Sequence, residues 1–337
     1  MKRLDHYWYS YNPVSVALLP LSWLFSLVSR LRRCAYAVGL FTTKKLPVPV
    51  IVVGNISVGG TGKTPLVIWL ARHLQDLGYK PGIISRGYGG KATEWPLPVV
   101  PQSDPTQVGD EPVMLASRTG CPLWVGPDRP ATARALLATA DCNILISDDG
   151  LQHYALHRDL EIVVLDGARG LGNGLSLPAG PLREGASRLA QADLVIANGP
   201  STPGLETFGL TTLADYRMNL VPGQLINLAA PSLAVGLDYF EDQPVHAMAG
   251  IGNPERFFDT LRAAGLRPRT HPFPDHHRFR EAEITPDDAL PVIITEKDAV
   301  KCAPFAHRRH WYLEVSAQPD TGFIQQLDQR ISEIGNG

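Results

Sequence analysis

One glycine-rich segment of the chain has the residues and the spacing of a phosphate-binding loop. The apolar, β-branched run Leu46–Val53 predicts a buried strand, GNISVGGTGKT follows it, and residues 65–77 predict a helix. Lys63 stands where a side chain reaches the β- and γ-phosphates of a nucleotide, and Thr64 stands where a hydroxyl binds Mg²⁺. Ser57 replaces the first glycine of the usual GxxxxGKT pattern. The residues expected to surround the nucleotide phosphates are Ser57, Val58, Gly59, Gly60, Thr61, Gly62, Lys63 and Thr64.

Two acidic positions could supply the carboxylate that a nucleotide-bound metal ion requires. Asp148 and Asp149 follow one apolar run, and Asp166 follows the next one along the chain. Two adjacent carboxylates are costly unless a cation neutralises them, so we favour the Asp148–Asp149 pair as the metal site. Asp166 is equally well explained as a residue that caps the following loop.

Phosphoryl transfer to an acceptor also needs a group that receives or orients the proton of the acceptor hydroxyl. Candidates are Asp110 and Glu111 in VGDEP, His153 in DDGLQHY, and His276 and His277 in FPDHHRF. VGDEP by itself is also typical of a turn or a helix cap, and two adjacent histidines in a loop are weak evidence for a metal site. Residues 166–184 predict a long functional loop in which Arg183 could contact a substrate phosphate.

The composition indicates a globular chain with two domains. The 337 residues are 44% hydrophobic and 19% charged, which excludes a disordered or collagen-like chain. The net charge of −2 argues against a general nucleic-acid binder. The four cysteines form no CxxC pair, which excludes a disulfide scaffold and a cysteine zinc site and is typical of a reducing compartment.

The N-terminal segment combines positive charge with an uncharged apolar run at residues 14–28. A helix over this run would be about 22 Å long, shorter than the hydrocarbon core of about 30 Å. The basic RLRR follows the run, whereas a signal peptide has its basic residues before it. The segment predicts an amphipathic helix on an anionic membrane surface, with a short spanning helix and a buried core helix as alternatives.

Strand and helix patterns alternate through the rest of the chain. Strands are predicted at Pro81–Ser85, Leu123–Val125, Asn143–Ser147, Glu161–Leu165 and Leu194–Ala197, and a helix at Arg129–Ala140. Residues 91–112 are predicted to be loop-rich, and residues 200–240 lack the alternating rhythm. The fold class is α/β: a P-loop NTPase-type, mostly parallel sheet with helices on both faces, plus a second, smaller α/β domain. The predicted segments are a membrane-associated helix at 1–40, a P-loop kinase domain at 41–225, a linker at 226–244 and a C-terminal domain at 245–337.

Eight short motifs occur in order between residues 46 and 301. They are GNISVGGTGKTP, SRGYGG, VGDEP, DDGLQH, LPAGPLRE, GIGNPERFF, FPDHH and TEKDAVK. This set resembles the tetraacyldisaccharide 4'-kinase family, the lipid A 4'-kinases of Gram-negative bacteria, in which serine at position 57 is normal. The resemblance implies that Mg·ATP phosphorylates the 4'-hydroxyl of a tetraacylated glucosamine disaccharide 1-phosphate. It also implies a peripheral enzyme at the cytoplasmic face of the inner membrane.

The resemblance implies a role for each matching residue. The catalytic residues would be Asp110, its partner His276 from the second domain, and Lys63. The metal ligands would be Thr64, Asp148, Asp149 and Glu184. The residues around the lipid substrate would be Asn55, Tyr88, Gln152, His153 and Arg183. Because Asp110 and His276 belong to different predicted domains, domain closure would bring this dyad together and exclude water.

Two other functions remain as alternatives. A membrane-associated P-loop NTPase switch would hydrolyse nucleotide without a lipid acceptor, but TEKD at 295–298 departs from the TKxD motif of GTPases because Glu296 intervenes. A soluble small-molecule kinase would use the N-terminal helix as part of its core. For the favoured kinase we expect no nucleic-acid partner and no obligate protein partner.

Overall fold

A computed structural model describes residues 4–200 and 214–335 of the chain. Part of the basic N-terminus (residues 1–3), part of the stretch that lacks the alternating rhythm (201–213) and the last two residues lie outside the described residues. The expectations that fall on these residues stay predictions.

Thirteen strands in the described part of the chain form one mostly parallel sheet. They are β1 (Val50–Gly54), β2 (Pro81–Ser85), β3 (Leu97–Val99), β4 (Leu123–Val125), β5 (Ile144–Asp148), β6 (Leu160–Asp166), β7 (Leu194–Asn198), β8 (Tyr216–Asn227), β9 (Ala234–Val235), β10 (Pro244–Ala249), β11 (Arg267–Pro272), β12 (Val292–Thr295) and β13 (His310–Pro319). Their order across the sheet is β11-β10-β12-β13-β8-β7-β6-β1-β5-β2-β4-β3, and β9 pairs with β8. The antiparallel pairs are β3 with β4, β8 with β13 and β8 with β9.

Helices cover both faces of this sheet, as the sequence predicted. They are α1 (Pro13–Ala17), α2 (Leu19–Ala37), α3 (Lys63–Asp76), α4 (Pro105–Val108), α5 (Asp110–Thr119), α6 (Arg129–Thr139), α7 (Pro254–Ala263), α8 (Glu281–Ile284), α9 (Glu296–Cys302) and α10 (Thr321–Gly335). In β1, Ile51 and Val53 pack in a core with α3, α5 and α10, whereas Val50 and Val52 pack in a second core with α6. The continuous apolar run of β1 follows from burial on both faces.

The sheet passes without a break through both predicted domains. Strand β8 pairs in parallel with β7 and antiparallel with β13, so it joins an N-terminal lobe (β1–β7) to a C-terminal lobe (β10–β13). Residues 200–240 were expected to lack the alternating pattern of strands and helices, and the structure has one long strand there, Tyr216–Asn227, that was not predicted from the sequence. Pro222 and Gly223 interrupt the strand pattern there, and β13 has its register shift between Leu313 and Val315, opposite this point. The domain boundaries at 225 and 245 stay predictions.

Two further elements depart from the expectations. Helix α5 begins at Asp110, so the predicted loop-rich stretch 91–112 ends in a helix and also contains β3 and α4. Strand β11 lies at the edge of the sheet, and its sequence RPRTHP has two prolines and no apolar alternation. An edge strand tolerates proline because one row of its backbone groups has no partner strand, which is why its pattern is weak.

The N-terminal segment rests on the body of the protein through hydrogen bonds and leaves its apolar side exposed. The indole Nε1 of Trp8 donates to the carbonyl of Pro178 at 3.0 Å, and the Ser22 hydroxyl donates to the carbonyl of Ser176 at 2.8 Å. The exposed apolar side chains of α2 are Leu21, Trp23, Leu24, Leu27, Val28 and Leu31. This exposure contradicts the alternative of a buried core helix. No helix within residues 4–200 and 214–335 is long and apolar enough to cross a membrane.

Candidate active site

The phosphate loop, residues 55–62, connects β1 to α3 and has the predicted strand–turn–helix geometry. Helix α3 begins at Lys63, two residues before the predicted start. Proline is tolerated in the first turn of a helix, so Pro65 can lie inside α3 instead of marking its first residue. Gly62 caps the helix in the left-handed region at φ 93°, and a Cβ atom there would lie 2.5 Å from Asn198 Nδ2. The first N–H groups of α3 have no partner within the helix, and they adjoin the phosphate loop because the helix begins directly after Gly62. This arrangement favours anion binding.

An ion-pair cluster joins the end of β5 to the phosphate loop. Lys63 Nζ lies 3.5 Å from Asp149 Oδ1, and Arg183 Nη1 lies 3.1 Å from both carboxylate oxygens of Asp149. Burial alone would raise the pKa of Asp149, but the positive charges of Lys63 and Arg183 outweigh it and hold the pKa at about 2. Asp149 is therefore ionised under all physiological conditions.

The neighbouring carboxyl group has the opposite environment. Asp148 is buried, and the Ser85 hydroxyl donates to its Oδ2 at 3.0 Å. Burial and the nearby charges of Glu111 and Asp149 raise the pKa of Asp148 to about 6. The two adjacent carboxyl groups thus differ strongly in proton affinity, because Lys63 and Arg183 contact Asp149, whereas Asp148 is buried beside other carboxylates.

The donor set near the loop fits a metal ion that binds together with a nucleotide. Within the described residues, no group of three or more His, Cys, Asp or Glu side chains could hold a metal ion by itself. Mg²⁺ is usually held by one or two carboxylates, with phosphate oxygens and water as the remaining ligands. Thr64 and Asp149 supply a hydroxyl and a carboxylate that line the cleft, whereas Asp148 is buried at the end of β5 next to Asp149, and the metal role of all three stays a prediction.

Glu184, also predicted as a metal ligand, is buried in a hydrogen-bond network. Its Oε1 accepts a hydrogen bond from the Tyr154 hydroxyl, and its Oε2 accepts one from Gln152 Nε2 at 3.3 Å. The Nε atom of Arg188 lies 3.8 Å from Glu184 Oε2, and Nη2 of the same side chain donates to Glu161. Both oxygens of Glu184 thus have protein partners in this conformation, and its metal role stays a prediction.

Asp110 and His276, which are 166 residues apart in sequence, lie next to each other. His276 Nδ1 lies 3.3 Å from Asp110 Oδ2. Burial opposes ionisation of Asp110, but His276, Lys297 and Lys301 together hold its pKa at about 2. The hydrogen bond to Asp110 raises the pKa of His276, against the effects of burial and Lys297. Asp110 is 6% exposed, whereas His276 lines the cleft, so the imidazole is the more accessible group of the dyad.

His277, the second histidine of the pair, contacts Glu283 and Phe273 instead of Asp110. His277 Nε2 lies 3.1 Å from Glu283 Oε2, and the ring stacks on Phe273 with centroids 4.7 Å apart. The structure therefore places His276, and not His277, beside Asp110. The ring of Tyr88 also lies beside His276, with ring centroids 5.3 Å apart.

A cleft of about 860 Å³ contains most of the predicted site. The predicted residues that line it are Val58, Gly59, Gly60, Thr61, Gly62, Lys63, Thr64, Tyr88, Asp149, Gln152, His153, Arg183, Glu184 and His276. His153 is neutral there, because burial and the charges of Arg129 and Arg86 lower its pKa to about 3. Phe25, Ser29 and Arg32 of α2 extend the cleft lining toward the N-terminal segment.

Two predicted residues of the phosphate loop, Asn55 and Ser57, do not line the cleft. Asn55 is fully buried, and its Nδ2 contacts Gly59 O and Thr61 Oγ1, each at 3.4 Å. Ser57 is buried and faces a small pocket on the far side of the loop, together with Tyr9 and Arg169. Asn55 is therefore placed to support the loop, and its contact with substrate stays a prediction.

Several cleft residues were missed by sequence reasoning. Arg86 follows β2, and Lys297 lies in the first turn of α9. A signal existed for the lysine, since TEKDAVK places Lys297 and Lys301 four residues apart, on one face of a helix that follows a strand. Arg129, which is buried outside the cleft lining and donates to the carbonyl of Asp148 at 2.7 Å, gave no comparable signal.

The sequence over residues 14–332 matches the profile of the family described as tetraacyldisaccharide-1-P 4'-kinase. The tetraacyldisaccharide 4'-kinase of Alkalilimnicola ehrlichii is 52% identical over 339 residues, covering 99% of this chain and 98% of the relative. That of Nitrosococcus oceani is 53% identical over 321 residues, covering 95% and 92%. A crystal structure of LpxK from Aquifex aeolicus in complex with ATP superposes with a TM-score of 0.79, at 30% identity and over 95% of this chain and 99% of that one. The chain therefore belongs to the tetraacyldisaccharide-1-P 4'-kinase family.

Proposed function

We propose that the protein transfers the γ-phosphoryl group of ATP to the 4'-hydroxyl of a tetraacylated disaccharide 1-phosphate, a step of lipid A biosynthesis. One observation carries the proposal: a phosphate loop with its lysine and an Asp–His dyad open into the same cleft. The loop supplies the donor site and the dyad supplies the acceptor site, which is the arrangement a kinase requires. The names of the relatives supply the substrate.

The phosphate loop and Lys63 bind the β- and γ-phosphates and stabilise the charge that develops in the transition state. Mg²⁺, when bound with the nucleotide, neutralises phosphate charge. Thr64, Asp148 and Asp149 are the residues that would hold it. Arg183 orients Asp149 through its two contacts, which keeps the carboxylate beside Lys63.

The dyad takes up the proton of the acceptor. The 4'-oxygen bonds to the γ-phosphorus, the bond from phosphorus to the β–γ bridging oxygen breaks, and ADP leaves with that electron pair. The hydroxyl proton moves to Nε2 of His276, and the carboxylate of Asp110 stabilises the resulting imidazolium through Nδ1–H. Asp110 thereby acts through His276, because the imidazole is the group that lines the cleft.

A transfer assay tests the function and separates it from a nucleotide switch. Mg·ATP labelled at the γ-phosphate is incubated with the protein, with and without tetraacyldisaccharide 1-phosphate in mixed micelles. We expect label in the lipid only when the lipid acceptor is present. Label released solely as inorganic phosphate, regardless of lipid, would contradict the kinase and favour the switch.

The exposed apolar side of α2 indicates a membrane-surface partner. Its exposed Leu and Trp side chains lie outside the cleft, and Arg30, Arg32 and Arg33 follow on the same helix. We infer that this side enters an anionic membrane surface and that the arginines contact lipid phosphates. Since ATP is the phosphoryl donor, the surface is the cytoplasmic face of the inner membrane.

A double variant tests this attachment. Burying one leucine side chain contributes about 1.5–3 kcal/mol, so Leu24→Ser with Leu27→Ser should weaken binding to anionic vesicles at least about tenfold. Co-sedimentation with vesicles measures the change, and Leu233→Ser, at an exposed leucine in the region of β8 and β9, is the control. Unchanged sedimentation of the double variant would contradict the proposed attachment.

A further inference from the structure

Lys297 lies at the contact between the two lobes and touches three groups of the site. Its Nζ lies 3.0 Å from Glu111 Oε1 on α5, 3.4 Å from His276 Nε2 and 3.6 Å from Asp275 Oδ1. The side chain is 17% exposed and lines the cleft. One ammonium group therefore connects the acidic start of α5 to the loop that carries His276.

The contacts of His276 with Lys297 and with Asp110 favour the same position for the ring proton. An ammonium group has three donors and no acceptor, so Nε2 of His276 must present its lone pair to Lys297. The neutral ring then has its proton on Nδ1, which donates to the carboxylate of Asp110. This tautomer is the one in which Nε2 can accept a proton from a hydroxyl group.

The backbone around Lys297 is fixed to the same point as His276. Thr295 caps α9 by accepting from the N–H of Asp298 at 3.2 Å, and Asp298 Oδ2 accepts from the N–H of Gly250 at 2.7 Å. The carbonyl of Gly250 in turn accepts from the N–H of His276 at 3.2 Å. Gly250 of the C-terminal lobe thus hydrogen-bonds both to α9, which carries Lys297, and to the backbone of His276.

We propose that Lys297 is a positioning residue, which holds His276 as the Nδ1–H tautomer and directs the lone pair of Nε2 into the cleft. The inference rests on the proposed function only for its catalytic consequence, because the tautomer is a property of the protein without substrate. An incoming hydroxyl would take the place of the ammonium group at Nε2. Glu111 and Asp275 retain Lys297 nearby when that exchange occurs.

The charges around His276 give the expected direction of a pH effect. The groups that face it directly are Asp110 from α5, Lys297 from α9, Asp275 from its own loop and the ring of Tyr88. Glu111 and Lys301 lie one contact further away. Asp110 raises the pKa of His276 and Lys297 lowers it. Removing the ammonium group therefore raises this pKa, so that the ring becomes protonated, and inactive as a base, at higher pH.

The test compares the Lys297→Met and Lys297→Arg variants with the parent protein in detergent micelles. Long-range ¹H–¹⁵N correlation spectra of ¹⁵N-histidine-labelled protein report the tautomer, and the signal of His276 is assigned by its loss in His276→Gln. The parent protein and Lys297→Arg should show the Nδ1–H form at neutral pH. Lys297→Met should lose that form, shift the acidic limb of its kcat profile to higher pH, and lose about tenfold in kcat at neutral pH, with KM for ATP within about twofold.

A second neutral variant, Lys297→Gln, serves if the methionine variant does not fold, and Lys80→Met is the matched control at an exposed lysine. The inference is overturned if a folded neutral variant keeps the Nδ1–H tautomer and the parent pH profile. It is equally overturned if the tautomer is unchanged and only KM for ATP rises, since Lys297 would then bind nucleotide. A parent protein that does not phosphorylate lipid would refute the proposed function and leave the tautomer result intact.

Discussion

Asp110→Asn is expected to lower kcat by about 10²–10⁴, the range typical of a lost general-base function. The amide cannot stabilise the imidazolium that forms when His276 accepts the hydroxyl proton, and it can donate to Nδ1, which favours the wrong tautomer. KM for ATP should change little, because Asp110 is buried on α5 and its side chain contacts His276 rather than the phosphate loop. Steady-state kinetics with saturating lipid measure the effect.

The same variant has a predictable effect on stability. The pKa of Asp110 is lowered to about 2 in the folded protein, so its interactions stabilise the fold above the ordinary aspartate pKa of about 3.9. That contribution is lost as the pH falls toward 2. Asp110→Asn should therefore show a weaker loss of stability between pH 5 and pH 2 than the parent protein. Asp76→Asn, at an exposed position on α3, is the control for the stability measurement. In the kinetic experiment, a kcat of Asp110→Asn within threefold of the parent protein would contradict the role of the dyad.

Lys63→Met is expected to lower kcat by about 10²–10³, the loss typical when one donor to developing transition-state charge is removed. KM for ATP should rise as well, because the lysine also contacts the bound phosphates in the ground state. Asp149 would keep its contacts with Arg183 but lose the ion pair with Lys63, so the pKa of Asp149 should rise above its value of about 2.

Kinetics with varied ATP and a fixed lipid concentration measure both effects of Lys63→Met. Lys91→Met removes an exposed lysine outside the cleft and should behave as the parent protein does. A methionine variant with unchanged kcat and KM would show that the phosphate loop does not bind the transferred group.

The donor half of the site was predictable from sequence because its parts are contiguous. One strand, one glycine-rich turn and one helix place Lys63 and Thr64, and no distant residue is needed to recognise them. The adjacent acids at the end of β5 were predictable for a similar reason, since the carboxyl ends of β1 and β5 lie next to each other in a parallel sheet.

The acceptor half was not predictable from periodicity. Asp110 and His276 come from different lobes, and only the family resemblance connected them. Lys297 was absent from the predicted site because its role depends on the contact between α5 and α9, which no local pattern encodes. Strand β8, which joins the lobes, was hidden by Pro222 and Gly223. These features depend on tertiary contacts, which local sequence patterns do not show.

The most direct test of the account is the position of the transferred phosphate. Tetraacyldisaccharide 1-phosphate is incubated with Mg·ATP and the protein in mixed micelles, and the lipid product is analysed by ³¹P NMR with correlation to the sugar protons. The account predicts a second phosphomonoester signal that correlates with H4' of the distal glucosamine, and its absence in Asp110→Asn and Lys63→Met at equal times. ADP and inorganic phosphate without a new lipid phosphomonoester, or a monoester at another hydroxyl, would contradict it.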